Sequence, residues 1–197
     1  MAVVALTGGI AVGKSVMMEY WQSHYAIPIF DTDDVGRQLL MEPEIQASVV
    51  QIFGDEIVSS AGVNRIKVQQ RIFANADEKS ALEALLHPHI RRRSQAMIDE
   101  YLQSFPYCIC VVPLLYETGT AKNYDRVCVV ESALDQRVRR CFDRGLSEGV
   151  TLAIMQSQAT SEQRLSIADD VLYNVKDFLF YHEQIDQLHA RYATLFS

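Results

Sequence analysis

Gly8, Gly13, Lys14 and Ser15 stand at the spacing G-x-x-x-x-G-K-[ST], which is the spacing of a loop that wraps phosphate groups. Such a loop must aim several backbone N–H groups inward, and side chains would block the close approach of the anion. Glycine removes that obstacle and tolerates a positive φ. The amides from Gly8 through Gly9, Ile10, Ala11, Val12 and Gly13 to Lys14, Ser15 and Val16 would form a concave nest at a helix N-terminus, where the helix dipole also favours negative charge. In that frame Lys14 reaches the β- and γ-phosphates of ATP, and the Ser15 hydroxyl ligates Mg²⁺. A glycine-rich strand-to-helix turn that binds nothing is the competing interpretation.

A second constellation, Asp31-Thr32-Asp33-Asp34, follows the apolar run IPIF. Residues two apart in an extended segment point to the same side, so Asp31 and Asp33 could both face the γ-phosphate and its metal. Phosphoryl transfer to an alcohol needs a carboxylate there to accept or orient the proton of the attacking hydroxyl. The second carboxylate could hold a Mg²⁺-bound water or orient the first. An acidic residue ahead of DVGRQLL is also a good helix N-cap, and that role competes with the chemical one.

The elements that must position these residues are visible as apolar, β-branched runs: AVVALT (2–7), IPIF (27–30), CICVVP (108–113), RVCVV (126–130) and DVLY (170–173). Segments with helical spacing lie between them. Alternating strands and helices predict an α/β fold, a parallel sheet with helices on both faces, and ligands at the carboxyl ends of the strands. Residues 34–106 are too many for a simple crossover and are rich in helix formers. They read as a helical insertion that holds a substrate, within a nucleotide-binding core made of residues 1–33 and 107–197. A charged, helical piece from about 138 to 162 is expected to close over the nucleotide as a lid.

The 197 residues are 49% hydrophobic, ample for a core, and carry a formal net charge of −7. That balance argues against general nucleic-acid binding, which needs a basic surface to displace counterions. AVVAL is short and has no basic lead-in, so no export signal is expected there, and no apolar run approaches the length of a membrane span. Cys108, Cys110, Cys128 and Cys141 show neither C-x-x-C nor metal-ligand spacing. Cys108 and Cys110 alternate in an apolar strand, share a face, and are expected to pack. A reduced, cytoplasmic setting follows as the expectation, with no nucleic-acid or membrane partner, for a monomer or a small homo-oligomer.

In an acidic chain a basic cluster is informative. Arg137, Arg139, Arg140 and Arg144 form the densest one, and on a helix positions 137, 140, 141 and 144 share one face. An arginine from that face, Arg144 first and Arg140 second, would stabilise the charge spread over the transferring phosphoryl oxygens. A solvated charged helix is the alternative.

With these residues in place, the chain resembles the dephospho-coenzyme A kinase family over almost its whole length. The resemblance is carried by ALTGGIAVGKS, DTDDVGR, NRIKVQQRIF, LEALLHPHI, VVPLLYE, RVCVV and QATSEQRLSIADDVLYN. It implies a P-loop nucleoside-kinase-like fold: a five-stranded parallel core, a helical coenzyme A domain and a lid. It also implies transfer of the γ-phosphoryl group of ATP to the 3′-hydroxyl of the ribose of dephospho-coenzyme A, the last step of coenzyme A synthesis. Matched by position, the resemblance gives Asp33 the base role, with Asp31 supporting it or the metal. Arg37 would contact the acceptor's phosphate or ribose, and His87-Pro88 would lie beside the acceptor. The P-L-L-[FY]-E string brings Leu115 and Glu117 near the reaction centre, and Asn174 falls on the adenine side of ATP. Arg65 lies in the acceptor domain so implied, where a guanidinium matches a phosphate.

Alternatives stand beside several of these roles. His87 ahead of Pro88 could simply end a helix, and Glu117 could serve only as a structural hydrogen-bonding group. Arg91, Arg92 and Arg93 cannot all meet one ligand, because consecutive helical residues spread around the axis. The chain also departs from the family pattern: Ala11, Val12 and Val16 replace a Gly, a Ser and a Thr, so altered affinity is expected rather than lost activity. Two residues after Asn174 the family often has a glycine, whereas this chain has Val175 and Lys176. Two rivals remain, a kinase for another nucleotide or small alcohol and a phosphate-loop GTPase switch. The switch would read guanine through N-K-x-D, for which the nearest string, NVKD at 174–177, has its lysine misplaced.

Overall fold

A computed structural model describes residues 2–59, 62–174 and 177–197; Val175 and Lys176 lie outside the described residues. The chain divides into two compact units. One comprises the described residues of 1–31 and 100–197, the other Thr32–Asp99.

The first unit is built on a sheet of β1 (Ala2–Thr7), β2 (Ile29–Asp31), β5 (Tyr107–Val111), β6 (Arg126–Glu131) and β7 (Asp170–Tyr173). The strand order is β2-β5-β1-β6-β7, every pairing is parallel, and helices cover both faces. Parallel strands covered on both faces read as continuous apolar runs, which is why YCICV is buried at every position. The expected runs fall on these strands, shifted by one or two residues at β2, β5 and β6.

Helix α1 (Lys14–Tyr25) buries Met17 and Trp21, and α9 (Phe178–Leu195) buries Tyr181, Ile185, Leu188 and Tyr192. Both sets follow helical three-and-four spacing and join the sheet in one core cluster. Trp21 stacks on Tyr192, meets Tyr107 edge-on, and donates its indole N–H to Tyr107 Oη at 3.0 Å. Such a partner is what a buried indole N–H requires. The four cysteines are reduced and buried, and burial pushes the Cys108 thiol up to about 11 and that of Cys110 up to about 12. The segment expected to act as a lid contains the later part of α6 (Leu134–Asp143), α7 (Glu148–Ser157) and the start of α8 (Ser161–Leu165).

The second unit contains α2 (Thr32–Leu39), α3 (Pro43–Phe53), α4 (Arg65–Ala74) and most of α5 (Ala76–Tyr101) around a small core of its own. Ile45, Val49 and Phe53 supply the buried stripe of α3. The insertion is not wholly helical. The antiparallel hairpin β3 (Val58–Ser59) and β4 (Gly62–Val63) interrupts it, after Gly54 stops α3 at φ 91°. Helix α5 runs through Pro88, so His87-Pro88 is not a helix end. Proline deletes a single N–H donor and strains one turn, and the helix continues on both sides of it. Among the described residues no helix is long and apolar enough to cross a membrane.

Candidate active site

Strand β1 delivers the chain from Thr7 into the loop Gly8–Gly13, and α1 begins at Lys14. Gly8 has φ 149° and Gly13 φ 104°, conformations that L side chains rarely adopt. Ala11 has φ 59°; for a residue with a Cβ this left-handed state costs about 1–2 kcal/mol. Some other interaction must hold it.

The loop's carbonyls show what that is, because each one from Gly8 to Gly13 accepts a hydrogen bond. Lys14 Nζ donates to the carbonyls of Gly8 at 2.6 Å and Gly9 at 3.1 Å. Arg137 Nε donates to Ile10 at 3.0 Å. Arg140 Nη1 donates to Ala11 at 3.0 Å and Val12 at 3.3 Å. Asn174 Nδ2 donates to Val12 at 2.9 Å, and Tyr181 Oη to Gly13 at 3.5 Å. Carbonyls held in this way leave the loop's amides to make the nest, apart from that of Ile10, which donates to Gln158 Oε1. No side chain caps the N-terminus of α1 and its first turn carries no acid, so its end N–H groups add to the same positive potential.

Cationic side chains crowd the loop as well. A Cβ on Gly9 would stand 2.5 Å from Arg137 Nη2 and 3.2 Å from Arg164 Nη2, so only glycine lets two guanidiniums come this near the backbone. Both arginines are buried, and so is Glu131 at the end of β6, which pairs with Arg164 at 3.1 Å. Two buried cations against one buried anion leave a positive charge in excess beside Gly9. Burial and the neighbouring Arg164 hold the Arg137 guanidinium below its ordinary range, with Glu131 opposing the shift. A bound polyphosphate would relieve that like-charge repulsion, and in this respect the residues fit ATP.

Asp31 ends β2 opposite Val111 of β5, and Leu6 of β1 is level with the same residue. Because β5 lies between β1 and β2, Asp31 stands two strand spacings, about 10 Å, from the end of β1 at the sheet's carboxyl edge. Ser15 is exposed in the first turn of α1, and Asp31 is half-buried. Both are oxygen donors of the kind Mg²⁺ selects.

Several expectations need correction. Asp31 and Asp33 do not share an extended segment: α2 starts at Thr32, and Asp33 and Asp34 occupy its first turn, so the same-side rule for strands does not apply to them. Asp33 is not an N-cap either, although acids in a first turn do favour the helix dipole. Arg140 directs its Nη1 at loop carbonyls and at Ser132 Oγ rather than at the phosphate side, while Arg144 is exposed where α6 ends. Asn174 is buried and supports the loop at Val12 through its side-chain amide nitrogen. Leu115 is fully buried and presents no surface to an acceptor. Glu117 lies beyond β5, in the turns that follow it, and accepts from the backbone N–H of Ala159 at 2.6 Å, which is the structural role.

In the second unit Arg37 pairs with Asp34 one turn earlier. Arg65 opens α4 after the Asn64 cap, and His87 and Pro88 are exposed on α5. The three consecutive arginines diverge: Arg93 pairs with Glu42 at 2.6 Å, Arg92 Nη2 lies 3.2 Å from His89 Nδ1, and Arg91 is exposed. Sequence reasoning missed Arg164, Glu131 and Gln158, whose side-chain oxygen accepts from Ile10 N at 2.8 Å. No local spacing announces them; each reaches the loop only through the fold.

A parallel sheet whose first strand feeds a nest of amides, with a lysine on the loop and buried arginines against it, defines a phosphate-loop kinase. Comparison with known proteins makes the class specific. The family model described as Dephospho-CoA kinase matches residues 2–178, and the chain belongs to that family. It is 41% identical over 197 residues to the dephospho-CoA kinase of Vibrio vulnificus (strain YJ016), covering 98% of this chain and 96% of that protein. Among solved structures it is similar to TT1252 from Thermus thermophilus, with TM-score 0.87, 27% identity, and coverage of 100% and 98% of the two chains. The dephospho-CoA kinase from Campylobacter jejuni shares the fold at TM-score 0.74 and 22% identity, over 98% of this chain and 97% of that one.

Proposed function

We propose that this kinase transfers the γ-phosphoryl group of ATP to the 3′-hydroxyl of the ribose of dephospho-coenzyme A, giving ADP and coenzyme A. The observation that carries the proposal is the phosphate loop with every carbonyl from Gly8 to Gly13 bonded, in a chain of this family.

Binding of the donor places its β- and γ-phosphates among the loop amides, within reach of the Lys14 ammonium. Arg137 and Arg164 add charge at Gly9, and Arg144 is the lid residue proposed to meet the phosphoryl oxygens. Ser15 and Asp31 would hold Mg²⁺, which neutralises phosphate charge when bound. Asp33 orients the acceptor hydroxyl and takes its proton, while Arg37, Arg65 and His87 engage the acceptor. Closure of the segment from about 138 to 162 excludes water that would compete for the phosphoryl group. The buried, reduced cysteines support a cytoplasmic setting.

The test is to incubate the protein with Mg–ATP and dephospho-coenzyme A and follow the acceptor by mass spectrometry, beside a panel of other nucleosides and small alcohols. Phosphate mass on the 3′-position of dephospho-coenzyme A is the expected result. Preferential transfer to another alcohol, or tight GTP binding without transfer to any hydroxyl, would overturn the proposal.

A further inference from the structure

The outer side of the loop at Ala11 and Val12 is held by a closed ring of side chains. Arg140 Nη1 shares its two N–H groups among the carbonyls of Ala11 and Val12 and, at 3.0 Å, Ser132 Oγ. Ser132 Oγ donates to the backbone carbonyl of Asn174 at 2.7 Å, and Asn174 Nδ2 returns to Val12 at 2.9 Å. Ala11, whose carbonyl is bonded to Arg140, stands beside this ring at φ 59°. An L residue reaches that conformation against the contact of its Cβ with the carbonyl that follows, and left to itself would turn back to negative φ. The peptide units on either side would rotate with it, and the amides would leave the nest.

We propose that Arg140 is a positioning residue for the donor phosphates, holding the Ala11–Val12 turn in its left-handed form through two carbonyls. A glycine at position 11 would need little of this help, because it adopts positive φ freely. A charge-assisted bond from a guanidinium is strong enough to oppose the strain of one residue. The inference rests on the reading of this loop as the ATP site, and it gives Arg140 a role through Ala11, not through contact with the reacting phosphoryl group.

The test is a double-mutant cycle on the full chain, measuring Mg–ATP dissociation constants by titration and kcat at saturating ATP for wild type, Ala11→Gly, Arg140→Gln and the double variant. Arg140→Gln is expected to weaken ATP binding about tenfold. The same change in the Ala11→Gly background should cost about twofold or less, with kcat at saturation within about twofold throughout. Equal losses in the two backgrounds would overturn the proposal, as would a fall in kcat with the dissociation constant unchanged. Arg140→Lys, which keeps the charge, carries the cycle if Arg140→Gln does not fold. A wild-type chain that fails to bind ATP sinks the functional reading itself; binding with an additive cycle sinks only the role of Arg140.

Discussion

Asn174 reaches across the fold from the end of β7 to donate its side-chain amide to the carbonyl of Val12 at 2.9 Å. Its own backbone N–H and C=O are bonded to Glu131 and Ser132, so the side chain can be removed without releasing the strand end. Asn174→Ala should weaken ATP binding about three- to tenfold and leave the fold in place. Asn174→Asp should lose more, because a carboxylate would face a carbonyl oxygen. Calorimetric titration of ATP against the two variants checks this order, and unchanged affinity in both would detach Asn174 from the loop's function.

Asp33 is exposed in the first turn of α2, where asparagine is tolerated. If it orients and deprotonates the acceptor hydroxyl, Asp33→Asn should lower kcat by about 10²–10⁴ with the KM for ATP within about twofold. Steady-state kinetics with both substrates varied decides it. A kcat near that of wild type would remove Asp33 from the mechanism.

His189 Nδ1 lies 2.6 Å from the Tyr107 hydroxyl, and its ring stacks on Tyr25, which donates to Asp186 at 2.6 Å. Tyr107 Oη also accepts the indole N–H of Trp21, which ties His189 into the buried aromatic core. Burial lowers the His189 pKa from 6.5, with the Asp186 charge opposing the shift. The folded state therefore binds fewer protons than the unfolded chain just below that pH. Stability from this group is complete above 6.5 and is lost as pH falls toward the folded-state value. Thermal midpoints across this range should fall with pH in the wild type and fall less steeply in His189→Gln; parallel curves would refute the assignment.

Ala26 closes α1 at φ 54° and donates its N–H to Gln22. Ala26→Gly should stabilise the chain by about 1 kcal/mol, raising the melting point by roughly 2–4 °C. The KM for ATP should stay as it is. A drop in melting temperature would show that the strain at this helix end is relieved elsewhere.

Local chemistry made the phosphate loop and the strands legible in the sequence. The G-x-x-x-x-G-K-S spacing lies within eight residues, and fully buried parallel strands leave apolar runs that need no partner to be seen. The aspartates were harder. Asp31 and Asp33 are two apart in a segment that changes from strand to helix between them, so neither the period of two nor that of 3.6 describes the pair. Arg137, Arg164 and Glu131 meet beside Gly9 from three different elements, an encounter that no one-dimensional pattern encodes. The basic face of α6 was visible, but not which of its arginines would turn toward the loop; that choice is made by the carbonyls of Ile10, Ala11 and Val12.

The place of β1 in the sheet has a consequence for the birth of the protein. Its hydrogen-bonding neighbours are β5 and β6, which leave the ribosome about a hundred residues later. At about 5–20 residues per second, AVVALT waits on the order of ten seconds for the strands that pair with both its margins. Synthesis of this enzyme thus contains an interval in which native pairing cannot yet protect AVVALT from contact with other nascent chains.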